Sequence, residues 1–271
     1  IIFPYLIDNG KSKPMNFEHI IKNYPLCAKY LFDNKSILSS RDKNKFDNEK
    51  EWFQFSRNQG ISNVEIPKIM TQEISLGCNM TFDEYGEFYH PTTVYSFVKN
   101  KKFNIDDKYY LAILNSKIMW FFLKNTGTEL GGGYFRFKTN YLKPFPLPGI
   151  SNNSNVLINS VNSQLNSNKE LQSISRKFQN SLKRKFVLDD ISQKLENWYL
   201  LSYSDFIKEL AKKKIKLSLS DEAEWEEYFN TESKKALELK SKIDATDKEI
   251  DQMVYKLYDL TEEEIKIVEG N

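Results

Sequence analysis

Apolar positions change their period along this chain. Over the first 150 residues they come in short mixed runs. Residues 17–31 carry Ile20, Ile21, Tyr24 and Leu31, a short helical pattern interrupted at Pro25, and residues 49–57 suggest a helical turn carrying Trp52. Residues 67–75 and 79–82 read as strands. Asp83-Glu84-Tyr85-Gly86 reads as a tight turn that returns through residues 87–90 as the second arm of a hairpin. Residues 92–98 are β-branched and aromatic and give the strongest strand signal. A helix over about 107–123, capped by Asn104 or Asp106 and ended by Gly127, is apolar nearly all round and so predicts burial. From Gly132 to Lys138 the pattern alternates, with Phe135 and Phe137 on one side and Tyr134, Arg136 and Lys138 on the other. The proline-rich residues 142–148 form an extended exit.

Beyond residue 151 the spacing turns helical. Ile158, Val161, Leu165, Leu171, Ile174, Phe178 and Leu182 predict a helix over about 155–185, roughly 45 Å long at 1.5 Å per residue. Ser204 marks a helix over 205–214, and Ser218 or Ser220 one running through Lys242. Thr246 with Glu249 and Thr261 with Glu264 read as capping boxes. No internal repeat is visible. The fold class is therefore α+β: a mixed α/β domain over 1–150 with a twisted, largely antiparallel sheet, then a mainly helical segment and tail over 151–271.

Charge sharpens this division. Residues 1–150 hold 20 Lys/Arg against 15 Asp/Glu, residues 151–216 hold 12 against 6, and residues 217–271 hold 7 against 16. A basic body with an acidic end fits a polyanion-binding surface, and equally a solvated helical face at the acidic end. Cys27 and Cys78 are too few for a disulfide framework and read as thiols in a reducing cytoplasm. No leader or membrane span is expected, since the most apolar run, 109–123, is broken by Asn115, Ser116 and Lys117 and falls short of ~20 residues. The chain opens without Met inside an apolar run and reads as an excerpt of a longer polypeptide.

The search for chemistry leaves one constellation. His19, His90 and the two cysteines lack metal-ligand spacing, and the glycines at 131–133 precede a strand rather than a Lys-Ser/Thr helix start. Asp189-Asp190 and Glu262-Glu263-Glu264 sit at helix ends, where solvated acids are ordinary. What remains is Lys and Arg interleaved with aromatics and amides: Arg41, Lys43, Lys45, Trp52, Arg57, Lys68, Gln72, Lys99, Lys101, Lys102, Tyr134, Arg136 and Lys138. Such groups neutralise phosphates or reach base edges. A second basic stretch, Arg176, Lys177, Lys183, Arg184 and Lys185, lies on the long helix and fits a DNA backbone or a solvated face.

The order of motifs resembles the TaqI-like C-terminal specificity region of fused type II restriction–modification enzymes (type IIG), whose parents are adenine-specific DNA methyltransferases. The residues that carry the resemblance are Ile2-Phe3-Pro4-Tyr5, Tyr30-Leu31 with Leu38 and Arg41, Trp52 with Arg57, and Pro67-Lys68-Ile69. They continue with Asp83 and Gly86, the 110–117 run Tyr-Leu-Ala-Ile-Leu-Asn-Ser-Lys, Gly133-Tyr134-Phe135-Arg136 and Phe145-Pro146-Leu147-Pro148. Ile250-Asp251, Val254-Tyr255, Leu257-Tyr258, Leu260-Thr261 and Glu263-Glu264-Ile265 through Val268-Glu269 resemble the closing helices of the same enzymes, with Asp259 standing where a small residue is usual.

The resemblance implies a segment that reads double-stranded DNA for a methyltransferase domain upstream on the same polypeptide, in the cytoplasm. That domain would bind S-adenosylmethionine and flip the target adenine, with Mg where the parent also carries a nuclease. No catalytic, cofactor or metal residue is assigned here, since the Asn-Pro-Pro-Tyr-type motif is absent. The expected DNA-binding set is Arg41, Arg57, Lys68, Lys99, Lys101, Lys102, Tyr134, Arg136, Lys138 and Arg184. Two rivals are a helical assembly module with little DNA affinity, and the specificity region of a phage-defence methyltransferase that does not cleave.

Overall fold

The computed structural model describes residues 2–58, 60–90, 93–150 and 154–270. The chain divides into two compact units, one of residues 1–107 and 128–139, the other of 108–127 and 140–271. Among the described residues no helix is long and apolar enough to cross a membrane.

The first unit opens with a hairpin of β1 (Tyr5–Asp8) and β2 (Lys11–Pro14). Asn9 and Gly10 form its two-residue turn, both at positive φ as such turns require. This hairpin is missing from the expectations above, although the Asn-Gly pair is its signal. Helices α1 (Phe17–Asn23) and α2 (Pro25–Asp33) follow, and Pro25 both ends the first and occupies the first turn of the second. A short α3 (Lys35–Ser39) and a helical turn α4 (Arg41–Asn44), with Asp42 and Lys43 left-handed, complete the corner. Trp52 and Phe53 are buried against Ile20, Ala28 and Leu31, on turns rather than on the expected helical turn.

Among the described residues the expected sheet is divided into three small antiparallel ones. β3 (Lys68–Gln72) is the centre of the largest, between β5 (Thr81–Asp83) and β6 (Val94–Phe97). β4 (Ile74–Ser75) pairs with β7 (Phe135–Arg136), and β1 with β2 forms the third. Of the expected 92–98 strand, Thr92 lies outside the described residues. Residues 87–90 do not return as a strand. The Asp83 carboxylate accepts the N–H groups of Glu87 and Phe88, both at 3.0 Å, so these donors serve the turn rather than a ladder. Directly opposite Asp83 in the register stands Lys68.

In the second unit the apolar run forms two helices, α5 (Asp107–Asn115) and α6 (Lys117–Thr126), not one. Ser116 breaks it. Its backbone is extended and its Oγ accepts the Met119 N–H at 3.3 Å, a cap that competes with helix continuation. A short α7 (Thr139–Leu142) leads to the proline-rich exit. α8 (Ser154–Phe186) is the expected long helix; Ser151 to Asn153 lie outside the described residues. After α9 (Gln193–Glu196), α10 (Tyr203–Lys212) is capped by Ser202, whose Oγ accepts the Asp205 N–H, rather than by Ser204.

α11 (Leu219–Leu257) starts at the Ser218 cap and runs unbroken past Lys242. Thr246 is thus inside a helix, its hydroxyl donating to Lys242 O at 2.9 Å, and caps nothing. The Thr261–Glu264 capping box is present at α12 (Glu262–Glu269). α8 and α11 pack around an aromatic column in which Phe178 stacks on Trp198 at 3.7 Å and on Tyr228 at 5.3 Å.

The closing helices also lock α6. Asp251 Oδ1 accepts the Lys117 N–H at 3.0 Å, and Lys117 Nζ donates to Glu269 at 2.9 Å. Burial pushes the Asp251 carboxyl above its usual range, against the opposing pull of its Lys117 bonds. A carboxyl whose folded pKa is raised stabilises the fold at low pH, and that stabilisation is lost as pH rises from about 4 through the raised value. Asp251→Asn keeps an acceptor for Lys117 without the charge. It should flatten that pH-dependent loss and leave thermal stability at pH 7 equal or higher; thermal unfolding of both proteins from pH 4 to 7 checks this, and a lower melting temperature at pH 7 contradicts it.

Candidate nucleic-acid interface

The first unit holds an open cleft of about 920 Å³ whose lining includes Phe3, Phe55, Tyr89, Tyr95, Arg41 and Arg57. Local contacts explain why these side chains meet. Arg41 Nε donates to Leu38 O at 2.7 Å, and its Nη2 donates to Trp52 O at 2.9 Å and Gln54 O at 2.8 Å. These bonds tie the α3–α4 corner to the segment that carries Phe55. The Phe55 N–H in turn donates to the Tyr5 hydroxyl at 2.8 Å. Burial raises the Tyr5 phenol, partly countered by that hydrogen bond and by the Arg41 charge.

A carboxylate stands beside each of the two cleft tyrosines. Tyr89 Oη donates to Glu65 at 2.6 Å, and its pKa is pushed up to about 12 by burial and then by Glu65. Tyr95 is raised by burial and by the neighbouring charge of Glu73, with Arg136 opposing. Arg136 Nε lies 3.7 Å from Glu73, because β4 pairs Ile74 with Arg136 immediately after Glu73.

The structure sorts the nine basic residues among the ten expected contacts into three groups. Lys68 is fully buried: its Nζ donates to Val64 O at 2.7 Å and pairs with Asp83, so it is an internal strut and has no surface to offer a phosphate. Arg41, Lys99 and Arg136 are partly committed to the fold. Lys99 donates to Ile105 O and stands 3.2 Å from Asp107, which holds its loop. Arg57, Lys101, Lys102, Lys138 and Arg184 are exposed cations without an ion pair among the described residues. Lys101 and Lys102 sit in a turn closed by Phe103 N–H to Asn100 O at 3.0 Å.

The alternation at β7 holds. Phe135 and Phe137 are buried, while Tyr134 and Lys138 are exposed and Arg136 half-buried. In the second unit Arg184 borders a shallow depression of about 670 Å³ with Lys177, Lys183 and Tyr228. Sequence reasoning missed the aromatic wall. Phe3, Phe55, Tyr89 and Tyr95 come from four separate segments, and only the β-branched, aromatic run around Tyr95 was legible.

Among the described residues the glycines at 131–133 lead into β7 rather than a helix start, and no three His, Cys, Asp or Glu side chains stand together.

Two family models match parts of the chain. Residues 19–147 match the model of the TaqI-like C-terminal specificity domain, so this region is similar to a TaqI-like recognition region. Residues 150–254 match a domain of unknown function (DUF8810). No curated protein matches the chain.

Proposed function

We propose that this chain is the DNA-reading segment of a restriction–modification enzyme. On this reading residues 1–150 lie along double-stranded DNA and direct an adenine methyltransferase upstream on the same polypeptide to its site. That upstream domain supplies the S-adenosylmethionine chemistry, and a nuclease, where the parent has one, uses Mg. Residues 151–271 are the helical spacer and tail, and the enzyme works in the cytoplasm on host and invading DNA. The observation that carries the reading is the match of residues 19–147 to a specificity domain. The exposed, unpaired cations Arg57, Lys101, Lys102 and Lys138 on the same unit support it.

Phosphate contacts release counterions, so each one adds roughly 0.9 to the slope of log affinity against log salt. Lys101→Glu with Lys102→Glu should weaken binding to every duplex and lower that slope by about two units. A salt titration by fluorescence anisotropy measures it. An unchanged slope removes both lysines from the interface. No duplex binding together with a stable oligomer in light scattering would favour an assembly module instead.

A further inference from the structure

Two guanidinium groups line the aromatic cleft, and neither meets a carboxylate among the described residues. The hydrogen bonds of Arg41 all go to main-chain carbonyls, which hold its charge in place without cancelling it. Arg57 is exposed and makes no hydrogen bond among the described residues. The carboxylate that lines the cleft, Glu73, lies 3.7 Å from Arg136. The cleft lining therefore presents two guanidinium groups that no carboxylate pairs among the described residues, with Glu65 engaged at the Tyr89 hydroxyl.

Its apolar wall is built of rings. Phe3 meets Tyr89 edge-on at 4.7 Å and Phe55 at 5.9 Å, and all three are only partly buried. Tyr89 is held at its hydroxyl by Glu65, so the wall is formed before any ligand arrives. A fixed aromatic wall beside unneutralised guanidinium groups, in about 920 Å³, selects a planar ring that carries an anionic group. Ordinary surface phosphate contacts need no such cavity.

We propose that the cleft is a nucleotide pocket, taking one unstacked nucleobase against the Phe3–Tyr89 wall with its phosphate on Arg57 and Arg41. Stacking on aromatic side chains tolerates any base because every base has a π-face, so the pocket grips more than it discriminates. The chemistry of the pocket stands by itself. Only the source of its ligand, a nucleotide drawn out of a DNA strand, rests on the DNA-reading function.

The test is calorimetric titration of the whole 271-residue chain with the four deoxynucleoside monophosphates, their nucleosides and a short single-stranded oligonucleotide. The expected result is saturable binding of at least one monophosphate at one site. It should weaken at least about tenfold for the nucleoside and for Arg57→Ala, as losing a hydrogen bond to a charged group implies. Arg57 is exposed and makes no hydrogen bond or ion pair among the described residues, so this variant keeps its structure. Absence of saturable binding, or equal binding by Arg57→Ala, overturns the pocket.

The source is settled by duplexes carrying 2-aminopurine. A fluorescence rise when the chain is added supports extrusion from the strand. Monophosphate binding with silent duplexes overturns that source and leaves a pocket for free nucleotides. Salt-dependent duplex binding without monophosphate binding overturns the pocket and leaves the DNA-reading function standing.

Discussion

Gly86→Ala should lower the stability of the first unit by about 3 kcal/mol or more, the combined cost of a strained backbone and an overpacked contact. Gly86 sits at φ +69°, where a side chain is strained. A methyl group there would also lie 2.5 Å from Glu65 O and 2.6 Å from Ile66 N. Those atoms are main chain and cannot swing aside. Gly10 supplies the control: its φ is +72°, yet nothing lies within 4 Å of an added Cβ. Gly10→Ala should therefore cost only the conformational part, about 1–2 kcal/mol. Chemical denaturation of both variants separates the two terms. Equal losses would mean that the close approach at Gly86 is unimportant.

Lys68→Met should cost about 3–5 kcal/mol, because it strands the buried Asp83 carboxylate without its cation. Lys68 and Asp83 have side-chain exposures of 0% and 2%, so water does not replace the lost partner. Burial alone would raise Asp83. The bond from Lys68 and the N–H groups of Phe88 and Glu87 outweigh it and hold the carboxyl below its usual range. A depressed folded pKa means that this stabilisation is present above the unfolded value, about 3.9, and is lost as pH falls through the folded one. Lys68→Met with Asp83→Asn removes the stranded charge and should recover part of the loss. Denaturation midpoints of the three proteins check this; a loss below ~1 kcal/mol in Lys68→Met would show that the pair is dispensable.

Lys68 also shows what a single sequence conceals. Pro67-Lys68-Ile69 reads as the opening of a strand whose lysine is free for DNA. Its burial follows only from the β3–β5 register that sets it opposite a carboxylate 15 positions away. Local periodicity, by contrast, carries far. The 3, 4 spacing after residue 155 gave the 33-residue α8, and Phe135 and Phe137 gave the buried side of β7. Caps were legible in type but ambiguous in place. The same Ser/Thr chemistry caps at Ser116, Ser202 and Thr261, yet turns back on its own helix at Thr246. The aromatic cleft was not legible, since its wall draws on residues 3, 55, 89 and 95, which only the tertiary fold brings together.

A duplex library of random sequence, passed over the immobilised chain at moderate salt and sequenced after each round, tests the reading most directly. Enrichment of one short sequence is expected, and it should be lost when Arg57, Lys101, Lys102 and Lys138 are changed to Glu together. A bound pool with no preferred sequence would contradict a reader of DNA.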